Sequence, residues 1–168
     1  MSITHEIYKT FDENKELRAV FLDISRAFDH VWHDGLLFKL RKIGIEGEAL
    51  NIINNFLSDC NQRVVLDGQS SDWAPVSAGV PQSSILGPLL FLIYINDITE
   101  VVSSDIRIFA DDTFIFRTVD QHSTRKLNDD LCKITEWPHQ WKMLINPDIS
   151  KQALKLSSRK ETNLHLPR

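Results

Sequence analysis

The sequence predicts an α+β fold in which a small antiparallel sheet packs on helices. Two observations lead there. Apolar runs of strand length are interspersed with segments whose apolar residues recur at helical spacing, and at least one Gly-centred hairpin joins two strands directly. No internal repeat, low-complexity tract or linker-like run interrupts the 168 residues, a length that fits one domain with a sizeable core.

The elements follow in order. Glu6 to Lys15 reads as a short leading helix. Arg18 to Ile24 is an apolar run ending near an aspartate, and its unbroken Ala19-Val20-Phe21-Leu22 predicts a central strand covered on both faces. Asp34 to Ile43 places Leu36, Leu37, Leu40 and Ile43 on one helical side, with Gly44 as its stop. Glu48 to Ser58 repeats the pattern with Ala49, Ile52, Ile53, Phe56 and Leu57. Gln62 to Leu66 and Ser71 to Val76 flank Asp67-Gly68 and predict a hairpin. Gly79 to Pro88 is a loop that opens a buried helix reaching about Asn96. Ile106 to Arg117 predicts two strands around an Asp111-Asp112 turn. An amphipathic helix from His122 to Trp141 turns Leu127, Leu131 and Ile134 inward, and Pro138 is expected to kink or end it. Ala153 to Ser157 is a last strand before a polar tail.

Composition removes several classes. The 25% charged and 42% hydrophobic residues are ordinary globular values, which excludes disorder and collagen-like sequence. Two cysteines, Cys60 and Cys132, without metal-type spacing imply neither a disulfide framework nor a zinc site. They point to a reducing compartment, and so to an intracellular location, cytoplasmic or nuclear. Met1 to Phe11 lacks the apolar stretch of a signal peptide, and Ile85 to Ile95 is too short to span a bilayer, so no membrane partner is expected. Nineteen Lys and Arg against 23 Asp and Glu give a net charge of −4, which does not advertise a nucleic-acid partner.

Two features put carboxylates where the pattern calls for apolar residues. Asp23 ends the central strand, and Asp111 and Asp112 sit at a hairpin tip. Acids converging from neighbouring strand ends repel one another, and a divalent ion relieves that repulsion; all-oxygen ligation suits Mg²⁺ or Mn²⁺. The plainer alternatives are a helix cap for Asp23 and an ordinary polar turn for the pair. His30 and His33 beside Asp34 lack a second ligand pair for zinc and read as solvent-facing or capping residues. Trp32, Trp73, Trp137 and Trp141 read as core aromatics, and Lys39, Arg41 and Lys42 as a solvated basic face.

Phe21-Leu-Asp-Ile-Ser-Arg-Ala-Phe-Asp29, Gly79-Val-Pro-Gln82, Leu86-Gly-Pro-Leu-Leu-Phe91, Tyr94-Ile-Asn-Asp97 and Phe109-Ala-Asp-Asp112 occur in one order. This series resembles the reverse transcriptase family, most closely the jockey-like, LINE-type polymerases of non-LTR retrotransposons, over Glu6 to Ser158. The resemblance implies a polymerase palm and RNA-directed DNA polymerase activity by two-metal nucleotidyl transfer from a dNTP to a primer 3′-hydroxyl. Asp23, Asp111 and Asp112 then match the catalytic, metal-binding acids. Phe28 matches the aromatic under the incoming sugar, whose bulk selects against a 2′-hydroxyl, and Gln82 matches the glutamine near nucleotide and template. RNA template, DNA primer and dNTPs are the implied partners, with Mg²⁺ or Mn²⁺ as cofactor.

Departures accompany the match. Ser83 stands where the family usually has glycine, Ile149 where it commonly has lysine, and Pro138 interrupts a helix expected to be continuous. The chain reads as a partial palm-type domain over residues 1–158 with a polar tail over 159–168, fingers and thumb largely missing. Weak nucleic-acid binding by this piece alone, and association through exposed apolar surface, are further expectations. The rival readings are an inactive relic or co-opted palm-fold interaction protein, and a metal-dependent nuclease using the same acids.

Overall fold

The computed structural model describes residues 3–110, 112–119, 124–146 and 153–157. In chain order the elements are α1 (Ile3–Asp12), β1 (Glu16–Asp23), α2 (His33–Lys42), α3 (Gly47–Leu57), β2 (Asn61–Gln62), β3 (Val65–Leu66), β4 (Gln69–Ser70) and β5 (Ala74–Pro75). They continue with α4 (Leu86–Ile95), α5 (Ile98–Val101), β6 (Asp105–Phe109), β7 (Asp112–Val119), α6 (Thr124–Trp141) and β8 (Ala153–Ser157). Two compact units divide them: Met1–Ser25 with Asp97–Arg168, and Arg26–Asn96.

The first unit is built on a four-stranded sheet of order β6-β7-β1-β8, antiparallel throughout. Successive strand residues face opposite sides, so β1 serves two cores at once. Leu17 and Ala19 join Phe116 in a cluster completed by Ile3 and Ile7 of α1. Val20 and Leu22 join Ile115 in a second, closed by Leu127 and Ile134 of α6. The expectation of a strand covered on both faces is met, except that Phe21 stays 40% exposed.

Within the same unit, Asp130 of α6 is buried and accepts hydrogen bonds from the backbone N–H and hydroxyl of both Ser103 and Ser104, at 2.6 to 3.1 Å. Four donors satisfy a carboxylate that would otherwise be costly to bury, and they fix the entry to β6 against α6. Pro138 lies inside α6 without ending it, and the helix runs on to Trp141. At this late position the missing N–H removes one bond from the last turn only.

In the second unit α2 packs on α3 and α4. Leu36, Leu37 and Leu40 are buried as their spacing predicts, whereas Ile43 is 60% exposed. The α3 stripe holds at Ile53, Phe56 and Leu57, which are half-buried or buried, but Leu50 is buried where Ala49 was expected and Ile52 is 64% exposed. Lys39, expected on a solvated face, is buried. Its ammonium donates to the Tyr94 carbonyl and lies 4.6 Å from the Tyr94 ring centroid, a cation placed at the carbonyl end of α4. Trp73 is a correction in the other direction, exposed and stacked under the Arg63 guanidinium at 4.7 Å.

The β3–β4 hairpin turns through Asp67 and Gly68, both at positive φ, as its sequence predicts. Helix α4 is apolar on every side; Leu90, Phe91, Tyr94 and Ile95 are buried, whereas Leu89 and Leu92 remain exposed. No helix among the described residues is long and apolar enough to cross a membrane.

Candidate active site

Strand β1 ends at Asp23, β7 opens at Asp112, and the register sets these two residues directly opposite each other. Directly opposed β-carbons lie about 4.5–5.5 Å apart, and like charges in such a pair destabilise the sheet. Asp23 is half-buried and Asp112 exposed. The turn expected at Asp111-Asp112 begins earlier: Phe109 pairs with Asp112, so Asp112 opens β7 rather than standing in the turn. Ala110 adopts a φ of 53°, the left-handed conformation that such short hairpins require. Asp111 itself lies outside the described residues, as does Ile149.

One residue at this site escaped sequence reasoning. Asn146 donates from its side-chain amide to Asp23 Oδ2 at 3.0 Å, and its backbone N–H donates to the Asp23 carbonyl at 2.8 Å. The Ser25 N–H reaches the Leu144 carbonyl at 2.8 Å, so residues 144–146 run beside the end of β1 and orient its acid. Nothing in the local pattern marks Asn146 for this task, because the contact spans 123 positions.

Phe28 and Gln82 belong to the second unit. Phe28 stacks on Phe91 with ring centroids 4.5 Å apart. The loop that carries Gln82 is strapped to the Phe28 segment by three bonds. Val80 N–H donates to the Phe28 carbonyl, Gly79 N–H to the Val31 carbonyl, and the His33 ring bonds the Gly79 carbonyl at 2.7 Å. His33 is therefore neither a cap nor a solvent-facing residue but a brace. Gly79 sits at a φ of 95°, and a β-carbon there would meet the Asp29 carbonyl oxygen at 3.0 Å. At Gly87 a β-carbon would stand 2.1 Å from the Pro81 carbonyl oxygen, so the loop closes onto α4 only with glycine there. Ser84 completes the closure, accepting from Gly87 N–H at 2.8 Å and donating to the Pro81 carbonyl. Gln82 is exposed, and Ser83 is outside the positive-φ region, so the local backbone there does not require glycine.

Among the described residues no group of three His, Cys, Asp or Glu side chains gathers to hold a metal. Asp23 and Asp112 make an anionic, all-oxygen pair on neighbouring strands. That donor set fits a hard divalent cation and no soft one.

The four-stranded antiparallel sheet, with opposed acids at one strand end and helices packed on it, has the architecture expected of a polymerase palm. The family model described as reverse transcriptase (RNA-dependent DNA polymerase) matches residues 1–163, and the chain belongs to that family. It is 35% identical over 147 residues to the RNA-directed DNA polymerase from mobile element jockey of Drosophila melanogaster, covering 81% of this chain and 16% of that protein. It is 30% identical over 158 residues to the probable RNA-directed DNA polymerase from transposon X-element of the same organism, covering 90% and 17%. The chain thus spans about a sixth of the length of these curated relatives. The fold is shared with apo telomerase from Candida tropicalis at a TM-score of 0.64 and 12% identity, over 95% of this chain and 36% of that one.

Proposed function

We propose that this chain is the catalytic core of an RNA-directed DNA polymerase of a non-LTR retrotransposon, extending a DNA primer with dNTPs on an RNA template. The observation that carries the reading is the register that opposes Asp23 and Asp112 across β1 and β7. Two acids directly opposed at a strand end weaken the sheet unless a cation joins them, and family membership supplies the chemistry for which such a pair is built.

Asp23, Asp111 and Asp112 would hold Mg²⁺ or Mn²⁺, and a bound ion of this kind supplies Lewis acidity at phosphate oxygens. The chain's own residues do the rest. Asn146 fixes the Asp23 carboxylate at 3.0 Å, so the acid need not be reoriented during turnover. Phe28, immobilised on Phe91, offers a ring edge that excludes a 2′-hydroxyl, and Gln82 hydrogen-bonds nucleotide or template from its braced loop. With a net charge of −4, this piece alone makes few phosphate contacts and binds RNA and primer weakly at physiological salt. Its cysteines, Cys60 and Cys132, are both free, in keeping with an intracellular site of action.

Primer extension by the purified chain on an RNA template, with dNTPs and Mg²⁺ or Mn²⁺, tests the reading against an Asp111→Ala control. Extension that disappears in the control is the expected result. A folded chain that extends nothing, or that cleaves nucleic acid without dNTPs, overturns the reading for this chain.

A further inference from the structure

Residues 143–146 form a short anchored segment in the same unit as the opposed acids. Met143 is buried, and its N–H donates to the Pro138 carbonyl at 2.9 Å. Ile145 bridges Ile24 and packs on the core cluster that Leu127 and Ile134 close. On either side of that bridge, backbone bonds of 2.8 Å run from Ser25 N–H to the Leu144 carbonyl and from Asn146 N–H to the Asp23 carbonyl. Asn146 is thus fixed by its neighbours before its own side chain is counted.

That side chain then holds Asp23 a second time, at Oδ2. One residue therefore restrains both the backbone and the carboxylate of the acid that stands opposite Asp112. An amide carries no net charge, so it orients the carboxylate without cancelling the charge that a cation needs. A lysine or arginine in its place would compete with the cation instead.

We infer that Asn146 is a positioning residue that sets ion selectivity at the acid pair, favouring Mg²⁺ over Ca²⁺ by holding Asp23 rigid. Mg²⁺ demands near-ideal octahedral geometry at about 2.0–2.1 Å, so it gains from an oxygen set in place beforehand. Ca²⁺ accepts six to eight ligands at about 2.3–2.6 Å, often both oxygens of one carboxylate, and gains from an acid that can turn. A carboxylate tied at Oδ2 to an anchored segment is a ligand of the first kind. The inference rests on the polymerase reading for the presence of a divalent ion at Asp23 and Asp112. It adds which ion the site selects and which residue selects it.

Displacement of bound Mn²⁺ by Mg²⁺ or Ca²⁺, followed by electron paramagnetic resonance, reads the selectivity of the 168-residue chain without primer, template or turnover. In the parent chain Mg²⁺ is expected to displace Mn²⁺ at lower concentration than Ca²⁺ does. Asn146→Ala keeps both backbone bonds of the segment and removes only the amide. It is expected to weaken Mg²⁺ about tenfold while Ca²⁺ stays within about twofold. Asn146→Asp keeps the shape but replaces the donor with a second negative charge. It should bind both ions more tightly than Asn146→Ala does, yet favour Mg²⁺ no more than that variant. The two variants thus move total affinity apart and selectivity together, which a residue that merely supports the fold would not do. Asp112→Asn, which should lose most of the Mn²⁺, locates the ion. A parent chain that binds no Mn²⁺ or prefers Ca²⁺, or Mn²⁺ that Asp112→Asn retains, overturns the inference. So do equal losses of Mg²⁺ and Ca²⁺ in Asn146→Ala. Selectivity that depends on Asn146 in a chain that extends no primer would leave this inference standing and remove only the polymerase reading. Primer extension by a chain whose selectivity ignores Asn146 would do the reverse.

Discussion

Asp112 is exposed and stands opposite Asp23 across one rung of the sheet. Removing one of two opposed like charges relieves about 0.2–1 kcal/mol. Asp112→Asn is therefore expected to melt slightly above the parent chain in chelator, and to lose the rise in melting temperature that Mg²⁺ gives the parent. Thermal melts with and without the ion check both halves. An aspartate kept for packing would give the opposite result in chelator. At this scale the sequence was informative wherever a residue broke a pattern: Asp23 and Asp112 stood out because apolar residues belonged there. It was silent wherever the partner is remote. Asn146 meets Asp23 from 123 positions away, and His33 meets Gly79 from 46, so neither role leaves a local mark. Lys39 was misread for the same reason, since its acceptor is a backbone carbonyl on another helix.

Among the elements, α6 carries the most consequential buried charge. Burial pushes the Asp130 carboxyl up, but the bonds donated by Ser104 and Ser103 outweigh it and hold the group below the usual carboxylate range. A folded-state value that is depressed contributes stability above the unfolded value, and that contribution is lost as the pH falls through the folded one. The parent chain should therefore lose stability on acidification below about pH 4, with Asp130 as one contributor. Asp130→Asn removes that contribution and leaves one donor facing another, at a cost of about 1–3 kcal/mol near neutrality. Urea melts across the acid range are the check: the gap between the two proteins should narrow as the pH drops. Helix and strand positions were legible from periodicity, because burial on one face enforces it. Pro138 was legible as an anomaly, and α6 runs on past it to Trp141 because a proline so near a helix end breaks little. Helix α5, at four residues, is too short to show a period.

At the scale of the molecule, the α4 stripe remains to be reckoned with. Leu89 is 53% and Leu92 47% exposed, one turn apart on a helix whose polar face does not exist. Apolar residues so arranged favour association. Replacing both by Glu is expected to shift light scattering at high concentration toward the monomer while leaving the melting temperature within about 2 °C, because neither side chain is buried. The sequence could rank α4 as the most apolar helix. It could not tell which of its sides faces inward, since a helix with no polar side carries no directional signal.

The tight connection between β6 and β7 constrains the chain in a different way. Ala110 already occupies a left-handed conformation, and Phe109 and Asp112 close the hairpin around it, so the connection has no slack. An amino acid added or removed there changes which residue stands opposite Asp23, and alternate residues of a strand point to opposite faces. Single-codon insertions and deletions in this stretch would erase the acid pair at a stroke, whereas most single substitutions in the flanking strands would leave it in place. Among diverging copies of a gene that encodes this hairpin, length would be the trait under the tightest restraint.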